Sequence, residues 1–577
     1  MHFFFAGALS NPASLMRLRF SVRAVALLLL VGGMGGCTDA PAQDSGGALP
    51  PEQAAYDVFH YDLEVAADPA RKRIEGQVTV HAVVEDRLED LVLNLDKRLS
   101  VSKAWTPGGP ETPHPVERRN GENEVWIALP DTREPGDTVR VSVSYNGQPR
   151  EAPDAPWDGG FSWETTPSGD PWIATSCQTE GADLLWPVKD HPSDEPDSMD
   201  IAFTVPDSLT AASNGRLRGV ERASDSTRTF HWHVSVPINT YNVALNAASY
   251  VRLDTTYSST SGATVPASMY VLPSDSAKGA QAFPDFLKQI RFLEETLGPF
   301  PPRTDKYGLA QTPFLGMEHQ SIIAYGKNFG SGGLGYEAAT DALHFHELAH
   351  EWYGNLVTVR DWKDFWLHEG TASYLEALYA GHAYDEHVRD EHPYGGRGDS
   401  AYHARIDHAR ESISGGRPIA RTAPTTAEDI YHGDVYHRGA LTLHTLRYLI
   451  GEEALRTLLR RFVYPEGTAS DPTAPYRHVT TDDFIQLAEE VSGRSLEAFF
   501  QVYLYHADLP TLKTQRKNET LRLEWTTTGD VTFEVPVPVR VDGETRRVTM
   551  SDGTGSVAVP EGTEVAVDPK GWILRRQ

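Results

Sequence analysis

One short stretch of the sequence combines residue types that bind metal ions with one that can activate water. His346, Glu347 and His350 form the pattern H-E-x-x-H. On a helix, residues four positions apart lie on one face, so both imidazoles can reach the same ion. Glu347 is rotated away from that face by one position, which lets it act on a water molecule as a general base. The pattern therefore predicts a helical metal site with its own base.

A third metal ligand is expected from Glu369, which follows in a second helical stretch. Two histidines and one glutamate, with a fourth position open to water, form a catalytic zinc site rather than a structural one. We predict one Zn²⁺ per chain, bound by His346, His350 and Glu369. His344 and His368 are close in sequence but lie on other helix faces, so we exclude them as ligands. The alternative is a solvated helix that carries the pattern by chance, and the added glutamate argues against it.

The composition indicates an acidic globular protein with several domains. Its 577 residues are too many for one core and predict about three or four domains. The net charge of −28 argues against duplex nucleic acid and anionic membrane surfaces as partners. Solubility is the simplest reason for this charge, and a saline habitat would also account for it. The two cysteines, Cys37 and Cys177, predict no disulfide within the folded part.

The N-terminal residues have the pattern of an export signal. Three arginines precede a short apolar run over 24–31, which is too short to span a membrane. Small residues then lead to Cys37, as in a bacterial lipobox. We predict a signal peptide over 1–37 with a lipid on Cys37, and a flexible linker over 38–51. The expected location is the cell envelope, as a periplasmic or outer-membrane lipoprotein with no other membrane contact, and ordinary secretion is the alternative.

The hydrophobic periodicity divides the rest of the chain into three parts. Residues 52–272 alternate between polar and apolar, which predicts a β-rich N-terminal domain of antiparallel sheets. Residues 273–508 carry apolar residues at helical spacing and contain the H-E-x-x-H stretch, which predicts a catalytic domain. Residues 509–577 return to alternation and predict a small C-terminal β-sandwich. The expected fold class is α+β with several domains.

The catalytic part is expected to be mainly helical. The predicted helices are 282–297, 338–354, 367–380, 436–450, 481–491 and 495–503. Residues 307–324 are expected to form strands around a turn. Residues 386–425 form a polar region that we expect to wrap the site.

Several motifs together resemble those of the aminopeptidase N family of gluzincin metallopeptidases, which also includes leukotriene-A hydrolase. They are Gly316-Met317-Glu318-His319, the H-E-x-x-H stretch, Glu369, Tyr436-His437-Arg438-Gly439-Ala440 and the Q-x-E stretch Gln178-Thr179-Glu180. The resemblance covers nearly the whole chain after the leader. It implies a thermolysin-like catalytic domain between the two β-rich parts. It also implies a bacterial, lipoprotein-like member without the large C-terminal helical domain of many family members.

The family resemblance implies a zinc-dependent aminopeptidase that hydrolyses the N-terminal peptide bond of peptides with a metal-activated water. Glu347 would be the general base, and the Tyr436 hydroxyl would stabilise the oxyanion of the tetrahedral intermediate. Tyr431, five residues before Tyr436, is a candidate for lining the substrate cleft. Peptides with a free N-terminus are therefore the expected substrates, and the oligomeric state is left open.

Specificity for a free N-terminus requires groups that recognise an ammonium ion. By resemblance, these are the carboxylates of Glu180 and Glu318, since a desolvated cation needs charged partners. The backbone of Gly316 and Met317 would pair with the bound peptide like an added strand. Because Glu180 belongs to the N-terminal part, we expect the site at a domain interface, with the H-E-x-x-H helix as its floor.

Two positions depart from the family pattern. His319 stands where the family has an asparagine, and Arg438 stands where it usually has a lysine. Neither change replaces a metal ligand or Tyr436. The change at His319 could alter how the backbone of the substrate is held.

Three other functions remain open at this point. A thermolysin-type endopeptidase would share the zinc chemistry, but Glu180 and Glu318 would block longer N-terminal extensions. Epoxide hydrolysis, as in the leukotriene-A branch, is disfavoured by the glutamate at 180. A catalytically inactive, lipid-anchored binding protein predicts the loss of Glu347, Glu369 or Tyr436, and all three are present.

Overall fold

The computed structural model describes residues 45–576, apart from positions 110–111, 120, 122, 179, 225, 328, 330–340, 388–397, 472–475 and 530. The side chains of 384–387 are also outside the described part. The predicted signal peptide, Cys37 and the first half of the linker therefore lie outside the described residues. Among the helices that are described, none combines the length and the apolar character needed to cross a membrane.

The N-terminal domain consists of three β-sheets that follow a short helix, α1 (Pro51–Ala54). Its strands are β1 (Tyr56–Asp68), β2 (Arg73–Val84), β3 (Leu88–Asn94), β4 (Leu99–Trp105), β5 (Val116–Arg119), β6 (Glu124–Arg133), β7 (Thr138–Gly147), β8 (Gly160–Thr165), β9 (Pro171–Ser176), β10 (Ser198–Pro206), β11 (Thr210–Ala212), β12 (Arg216–Arg222), β13 (Thr227–Val234) and β14 (Asn246–Ala248). The largest sheet has seven described strands in the order β12-β13-β10-β1-β2-β7-β4. The smaller sheets have the orders β11-β14-β9-β8 and β3-β6-β5.

The central strands of the seven-stranded sheet explain why its sequence alternates. β1 pairs antiparallel with β2 and parallel with β10. Tyr61, Leu63 and Val65 of β1 are buried, while the residues between them are at least partly exposed. Successive side chains on a strand point to opposite faces, so one face of this sheet covers the core and the other faces solvent.

The catalytic domain begins with a mixed five-stranded sheet. Its strands are β15 (Val251–Ser258), β16 (Thr264–Val271), β17 (Tyr307–Gln311), β18 (Gly316–Met317) and β19 (Ile323–Tyr325). They are arranged in the order β15-β16-β17-β19-β18, with β16 and β17 parallel. This pairing extends the catalytic sheet back to Val251, past the boundary predicted at residue 272. It also places β18 at the edge of the sheet.

Helices form most of the remaining catalytic domain. They are α2 (Ser276–Leu297), α3 (Ala342–Ala349), α4 (Trp366–His387), α5 (Gly398–Glu411), α6 (Ala427–Ile430), α7 (Asp434–Ile450), α8 (Glu452–Val463), α9 (Thr481–Ser492) and α10 (Glu497–Phe500). A π-helical turn, Gln501–Tyr505, continues α10, and β20 (Val357–Val359) pairs with β21 (Arg477–Val479). Each of the six predicted helices has a counterpart, and α5 lies in the polar region predicted over 386–425.

The H-E-x-x-H helix α3 is shorter than the predicted span of 338–354. The Asp341 side chain caps its start by accepting a hydrogen bond from the His344 backbone N–H at 3.1 Å. After α3 the backbone makes a turn whose hydrogen bonds join residues five positions apart, such as the bond from Asn355 N–H to the His350 carbonyl at 2.9 Å. Gly354 follows with φ +146°, a backbone conformation that favours glycine. His350 is therefore the C-cap residue directly after α3, and its backbone is still helical.

Two glycines allow α4 and α7 to approach closely. A Cβ at Gly439 would lie only 2.7 Å from the Gly370 Cα, and a Cβ at Gly370 would lie 2.7 Å from the Gly439 Cα. Gly370 directly follows Glu369, and Gly439 lies three residues after Tyr436. The close crossing therefore brings a predicted metal ligand and the predicted oxyanion donor to the same region.

The C-terminal segment forms two three-stranded sheets, as expected for a small β-sandwich. Its strands are β22 (Thr511–Lys517), β23 (Thr520–Thr526), β24 (Val537–Val541), β25 (Glu544–Val548), β26 (Thr554–Ala558) and β27 (Val565–Val567). The described strand orders are β22-β23-β26 and β25-β24-β27. Trp525 and Phe533 pack edge to face in its core, with ring centroids 5.3 Å apart. The α+β fold class with β-rich ends is confirmed.

The glycine crossing can be tested by adding a single methyl group. Gly439→Ala should lower the free energy of unfolding by about 1–3 kcal/mol, because the methyl overlaps the backbone of α4. Chemical denaturation followed by circular dichroism measures this change. Gly433→Ala is the matched control, because Gly433 has helical backbone angles and an added Cβ would lie 4.0 Å from its nearest neighbour, His437 Cδ2. Equal stability of the two variants would show that the helices separate freely at this point.

Candidate active site

The predicted metal ligands converge between α3 and α4. His346 Nε2 and His350 Nε2 lie 3.2 Å and 3.4 Å from the same oxygen of Glu369, Oε2. One donor atom from each of the three residues lies within 4.8 Å of the others. Two imidazole nitrogens and one carboxylate form the donor set that zinc prefers in catalytic sites. The residues present therefore fit the predicted zinc.

Hydrogen bonds outside the cluster fix the orientation of both imidazoles. His346 Nδ1 donates to Glu376 Oε1 at 2.8 Å, and His350 Nδ1 donates to the Tyr353 carbonyl at 2.9 Å. With Nδ1 engaged as a donor, Nε2 keeps its lone pair for a metal ion. Partners of this kind raise the basicity of histidine ligands and hold the ring in place.

Glu376 was not anticipated from the sequence. It lies seven residues after Glu369 on α4, which is two helical turns along the same face, so the spacing alone could have indicated it. Its other oxygen pairs with Arg405 of α5, so the carboxylate is held from both sides. Through Glu376 the polar region predicted over 386–425 reaches the site, as expected.

The predicted general base, Glu347, lies beside the ligand cluster and is 7% exposed. One donor atom each from Glu347, Glu318 and His350 fall within 4.8 Å of one another. Burial raises the pKa of Glu347 to about 8, against the lowering effect of His346 and His350. A Cβ at Gly316 would overlap Glu347 Oε1, so only a glycine leaves room for this carboxylate.

Burial and two imidazoles act in opposite directions on the ligand carboxylate. Burial alone would raise the pKa of Glu369, but the neighbouring His350 and His346 hold it well below its ordinary value. The carboxylate is therefore ionised in the folded protein, as a metal ligand must be.

The predicted amine-binding residue Glu318 is a buried carboxylate held from the N-terminal domain. The Gln178 amide and the Tyr241 hydroxyl both donate to Glu318 Oε1, the latter at 3.2 Å. Burial raises the pKa of Glu318 to about 7, which His350 partly offsets. Gln178 also lies 3.5 Å from Glu369 Oε1. A site at the domain interface was expected, and Gln178 belongs to the Q-x-E stretch of the family resemblance, but Tyr241 was not anticipated from the sequence.

Glu180, the second predicted amine-binding residue, lies in the turn that follows Gln178 and is half-buried. Its carboxylate packs against Gly159, where a Cβ would be 2.7 Å from Oε2. Gln178 is the residue of this turn that contacts both Glu318 and Glu369. The amine-binding role of Glu180 stays a prediction.

The predicted oxyanion donor, Tyr436, lies against the metal ligands. Its ring stacks on His346, with centroids 5.9 Å apart and an interplanar angle of 22°. The Tyr436 and Tyr431 hydroxyls are hydrogen-bonded at 2.8 Å, which places the cleft candidate Tyr431 beside it. Burial and the negative charge of Glu369 raise the pKa of Tyr436 well above its ordinary value, so the hydroxyl keeps its proton.

His344 and His368, which were excluded as metal ligands, face away from the cluster, as predicted. His368 Nε2 accepts a hydrogen bond from the Val359 N–H at 2.9 Å. His344 stacks on Phe286 with ring centroids 3.7 Å apart, and its Nε2 lies 2.6 Å from the Tyr307 hydroxyl. Both imidazoles are therefore part of the packed core.

The two departures from the family pattern have different surroundings. The Arg438 guanidinium is fully buried and donates to backbone carbonyls, among them Tyr503 at 2.8 Å and His506 at 2.6 Å. It thus anchors the π-helical turn to α7. His319 is also fully buried, its ring nitrogens have no hydrogen-bond partner within the described residues, and burial lowers its pKa to about 3. A neutral, buried imidazole therefore follows Glu318 in this chain.

Family models match the two larger domains. The model described as the Peptidase M1 N-terminal domain matches residues 58–242, and the Peptidase family M1 domain matches residues 288–503. The chain belongs to the M1 peptidase family. The predicted resemblance to the aminopeptidase N family is thereby confirmed.

Curated relatives of this M1 peptidase are longer proteins. Glutamyl aminopeptidase of Mus musculus is 26% identical over 71% of this chain and 44% of its own length. Endoplasmic reticulum aminopeptidase 1 of Rattus norvegicus is 23% identical over 76% of this chain and 47% of its own. The chain thus spans about half the length of the curated relatives it matches.

A solved structure of similar size has the same fold. The M1 zinc metallopeptidase from Deinococcus radiodurans, a point mutant bound to a Tyr-Ser-Ala substrate, superimposes with a TM-score of 0.63 at 26% identity. The match covers 79% of this M1 peptidase and 96% of that chain. Together with the His₂Glu donor set, this match identifies zinc as the metal of the site.

The contact between His346 and Glu376 predicts an effect on zinc affinity. Glu376→Gln should weaken zinc binding by about 10–100-fold, because a neutral amide holds His346 less firmly than the carboxylate does. Competition with a chromogenic chelator measures the dissociation constant. Glu411→Gln, at the exposed end of α5, is the control and should leave zinc binding unchanged. An unchanged constant in Glu376→Gln would remove this carboxylate from the metal site.

Proposed function

We propose that this M1 peptidase is a zinc-dependent aminopeptidase that hydrolyses the N-terminal bond of peptides. The observation that carries the proposal is the buried Glu318 carboxylate beside the metal ligands. Hydrogen bonds offset part of the cost of an ionised carboxylate in such a place, and a positively charged partner such as the α-ammonium of a peptide stabilises it further. The names of the relatives, which include several aminopeptidases, support the same activity.

Water attack on a neutral peptide bond requires activation of both reactants. Zinc, when bound, lowers the pKa of water and polarises the scissile carbonyl. Glu347 accepts the proton from the attacking water and then delivers it to the leaving amine. Its position against Gly316 holds the carboxylate close to the ligand cluster.

The tetrahedral intermediate develops a negative oxygen that needs a fixed donor. Tyr436 supplies a protonated hydroxyl next to His346, and Tyr431 orients that hydroxyl by its hydrogen bond. The stacking of Tyr436 on His346 restricts its rotation. The donor is therefore in place before the charge forms.

Recognition of the free amino group selects which bond is cleaved. Glu318 and Glu180 bind the ammonium, and the hydrogen bonds from Gln178 and Tyr241 keep Glu318 in position. With the amino group held there, the first peptide bond lies over the metal ligands. Carboxylates that bind the ammonium at this point would exclude further N-terminal residues, which argues against an endopeptidase.

The edge strand β18 provides the backbone contacts for the substrate. Gly316 and Met317 pair with β19 on one side only, and the outer side of β18 carries no described strand. A bound peptide extends the sheet by hydrogen bonding to this edge. The absence of a side chain at Gly316 leaves the edge open next to Glu347.

We also propose export to the cell envelope and attachment through a lipid on Cys37. The support is in the sequence alone: arginines before a short apolar run, then small residues and a cysteine. These residues lie outside the described part of the chain. Mass spectrometry of the purified protein tests the proposal, since a diacylglyceryl group on an N-terminal Cys37 is expected.

Removal of the general base should separate metal binding from turnover. Glu347→Gln should retain zinc and lose activity by about 10²–10⁴-fold, because the amide cannot accept a proton. Metal analysis and hydrolysis of aminoacyl-4-nitroanilides measure the two properties in one preparation. Activity that survives the substitution would exclude Glu347 as the base, and loss of zinc would assign it a structural role.

Amine recognition distinguishes an aminopeptidase from an endopeptidase. The wild-type protein should cleave free aminoacyl reporters and not their N-acetylated forms. Glu318→Gln should lower kcat/KM for free reporters by about 10²–10³-fold, since one buried charge partner is lost. Glu497→Gln, exposed at the start of α10, is the control. Equal cleavage of free and acetylated reporters would overturn the aminopeptidase proposal.

A further inference from the structure

The seven-stranded sheet of the N-terminal domain carries a second group of metal-binding side chains on its solvent-facing side. His60 and Asp62 lie on β1, and Asp200 lies on β10. One donor atom from each of these three residues lies within 4.8 Å of the others. His60 Nε2 is 3.3 Å from Asp62 Oδ1 and 3.6 Å from Asp200 Oδ2. None of these residues belongs to the active site.

The strand register brings these residues together on rigid backbone. Asp62 pairs with Asp200 across the parallel β1–β10 ladder, and His60 pairs with Ser198 in the same ladder. Residues two apart on a strand share a face, so the histidine and both carboxylates point to the same side. The opposite face of β1 is packed in the core through Tyr61 and Leu63. The three ligand positions are therefore fixed by the sheet itself.

Each of the three side chains is oriented by a further partner. His60 Nδ1 is hydrogen-bonded to Ser198 Oγ at 2.8 Å, which leaves Nε2 facing the carboxylates. His81 Nε2 is 2.8 Å from Asp62 Oδ2, the carboxylate oxygen that does not contact His60 Nε2 at 3.3 Å. His233 Nδ1 is 2.8 Å from Asp200 Oδ1 in the same manner. Partners of this kind are typical of metal ligands, because they hold the ligand side chains in position.

Acidic side chains outnumber basic ones around the cluster, where Arg140 Nη2 lies 3.9 Å from Asp62 Oδ2 and Arg218 lines the same groove. The cluster lies on an open groove of about 610 Å³ whose lining includes Asp62, Asp200, Glu64, Glu75 and Glu221. The side chains of Asp62 and Asp200 are 39% and 53% exposed, which leaves a path for an ion from solvent.

We propose that His60, Asp62 and Asp200 form a second metal site, for a divalent transition-metal ion such as Zn²⁺. One imidazole and two carboxylates form a mixed nitrogen and oxygen donor set, which suits zinc-class ions better than calcium or magnesium. The bound ion links β1 to β10, two neighbouring strands that are far apart in sequence. Its role is to stabilise the N-terminal domain rather than to take part in hydrolysis.

The competing explanation is a proton shared within a histidine–aspartate network. In that case His60 carries two protons, donates from Nδ1 to Ser198 and from Nε2 to the carboxylates, and binds no metal. The two explanations differ in one respect that can be measured. Metal binding displaces a proton from the imidazole and depends on the zinc concentration, whereas the proton network depends on pH alone.

Zinc stoichiometry of the full-length protein tests the site. Isothermal titration with Zn²⁺ should give two equivalents for the wild type, one tight and one weaker. His60→Gln and Asp200→Asn should each lose the weaker equivalent and keep both the tight one and aminoacyl-nitroanilide hydrolysis. Glu369→Gln should show the reverse, with the tight equivalent lost and the weaker one retained. Titration in two buffers of different ionisation enthalpy should reveal proton release with the weaker equivalent.

His231→Gln is the matched control. His231 lies on β13 of the same sheet, lines the same groove and pairs with Glu221 outside the cluster. The His231→Gln variant should bind both equivalents of zinc. A wild-type protein that binds one zinc, or a weaker equivalent that persists in His60→Gln and Asp200→Asn, overturns the proposal.

Thermal unfolding provides a second readout if a substitution disturbs folding. Zn²⁺ that is added after the active site is filled should raise the melting temperature of the wild type and of His231→Gln by about 2–4 °C. It should not raise that of Asp200→Asn. The same shift in Asp200→Asn would place the stabilising ion elsewhere and overturn the assignment.

Discussion

The balance of buried charge around two imidazoles is the constraint on which the site depends. Four carboxylates lie in this region with exposures of 2–8%: Glu318, Glu347, Glu369 and Glu376. Burying a carboxylate without a positively charged or hydrogen-bonding partner is strongly unfavourable. Arg405 pairs with Glu376, which leaves three carboxylates against two imidazoles that are needed as neutral ligands. A divalent metal ion and, in the proposed function, the ammonium group of a peptide are the charges that complete this arrangement.

The position of Glu318, the proposed amine-binding carboxylate, depends on contact between two domains. The N-terminal domain holds the segment after β18, with Gly215 N–H donating to Ser321 Oγ at 2.8 Å and the Asn214 amide donating to the Gln320 carbonyl at 2.7 Å. Gln178 then reaches Glu318 from the same domain. The catalytic domain alone would keep the metal ligands but would lose the groups that orient Glu318. The proposed hydrolysis and the proposed selection of the N-terminal bond thus have separate structural origins.

Small residues set the distances within the site as much as polar ones do. Gly316 leaves space for the Glu347 carboxylate, and Gly370 against Gly439 lets α4 and α7 cross closely. These glycine contacts bring Glu347, Glu369 and Tyr436 into one region, and they do so by close packing rather than by hydrogen bonds. The outer face of the N-terminal sheet follows another principle, since there the strand register alone places His60 beside two aspartates.

The sequence by itself determined the features that depend on local spacing. Helical periodicity placed His346 and His350 on one face and excluded His368, and alternation identified the β-rich domains. Only the tertiary structure decided the contacts between distant segments, such as Gln178 with Glu318, which are 140 residues apart. It likewise joined β16 to β17 and buried Arg438 among carbonyls. Periodicity records which face of an element is buried, whereas packing decides which residue lies opposite it.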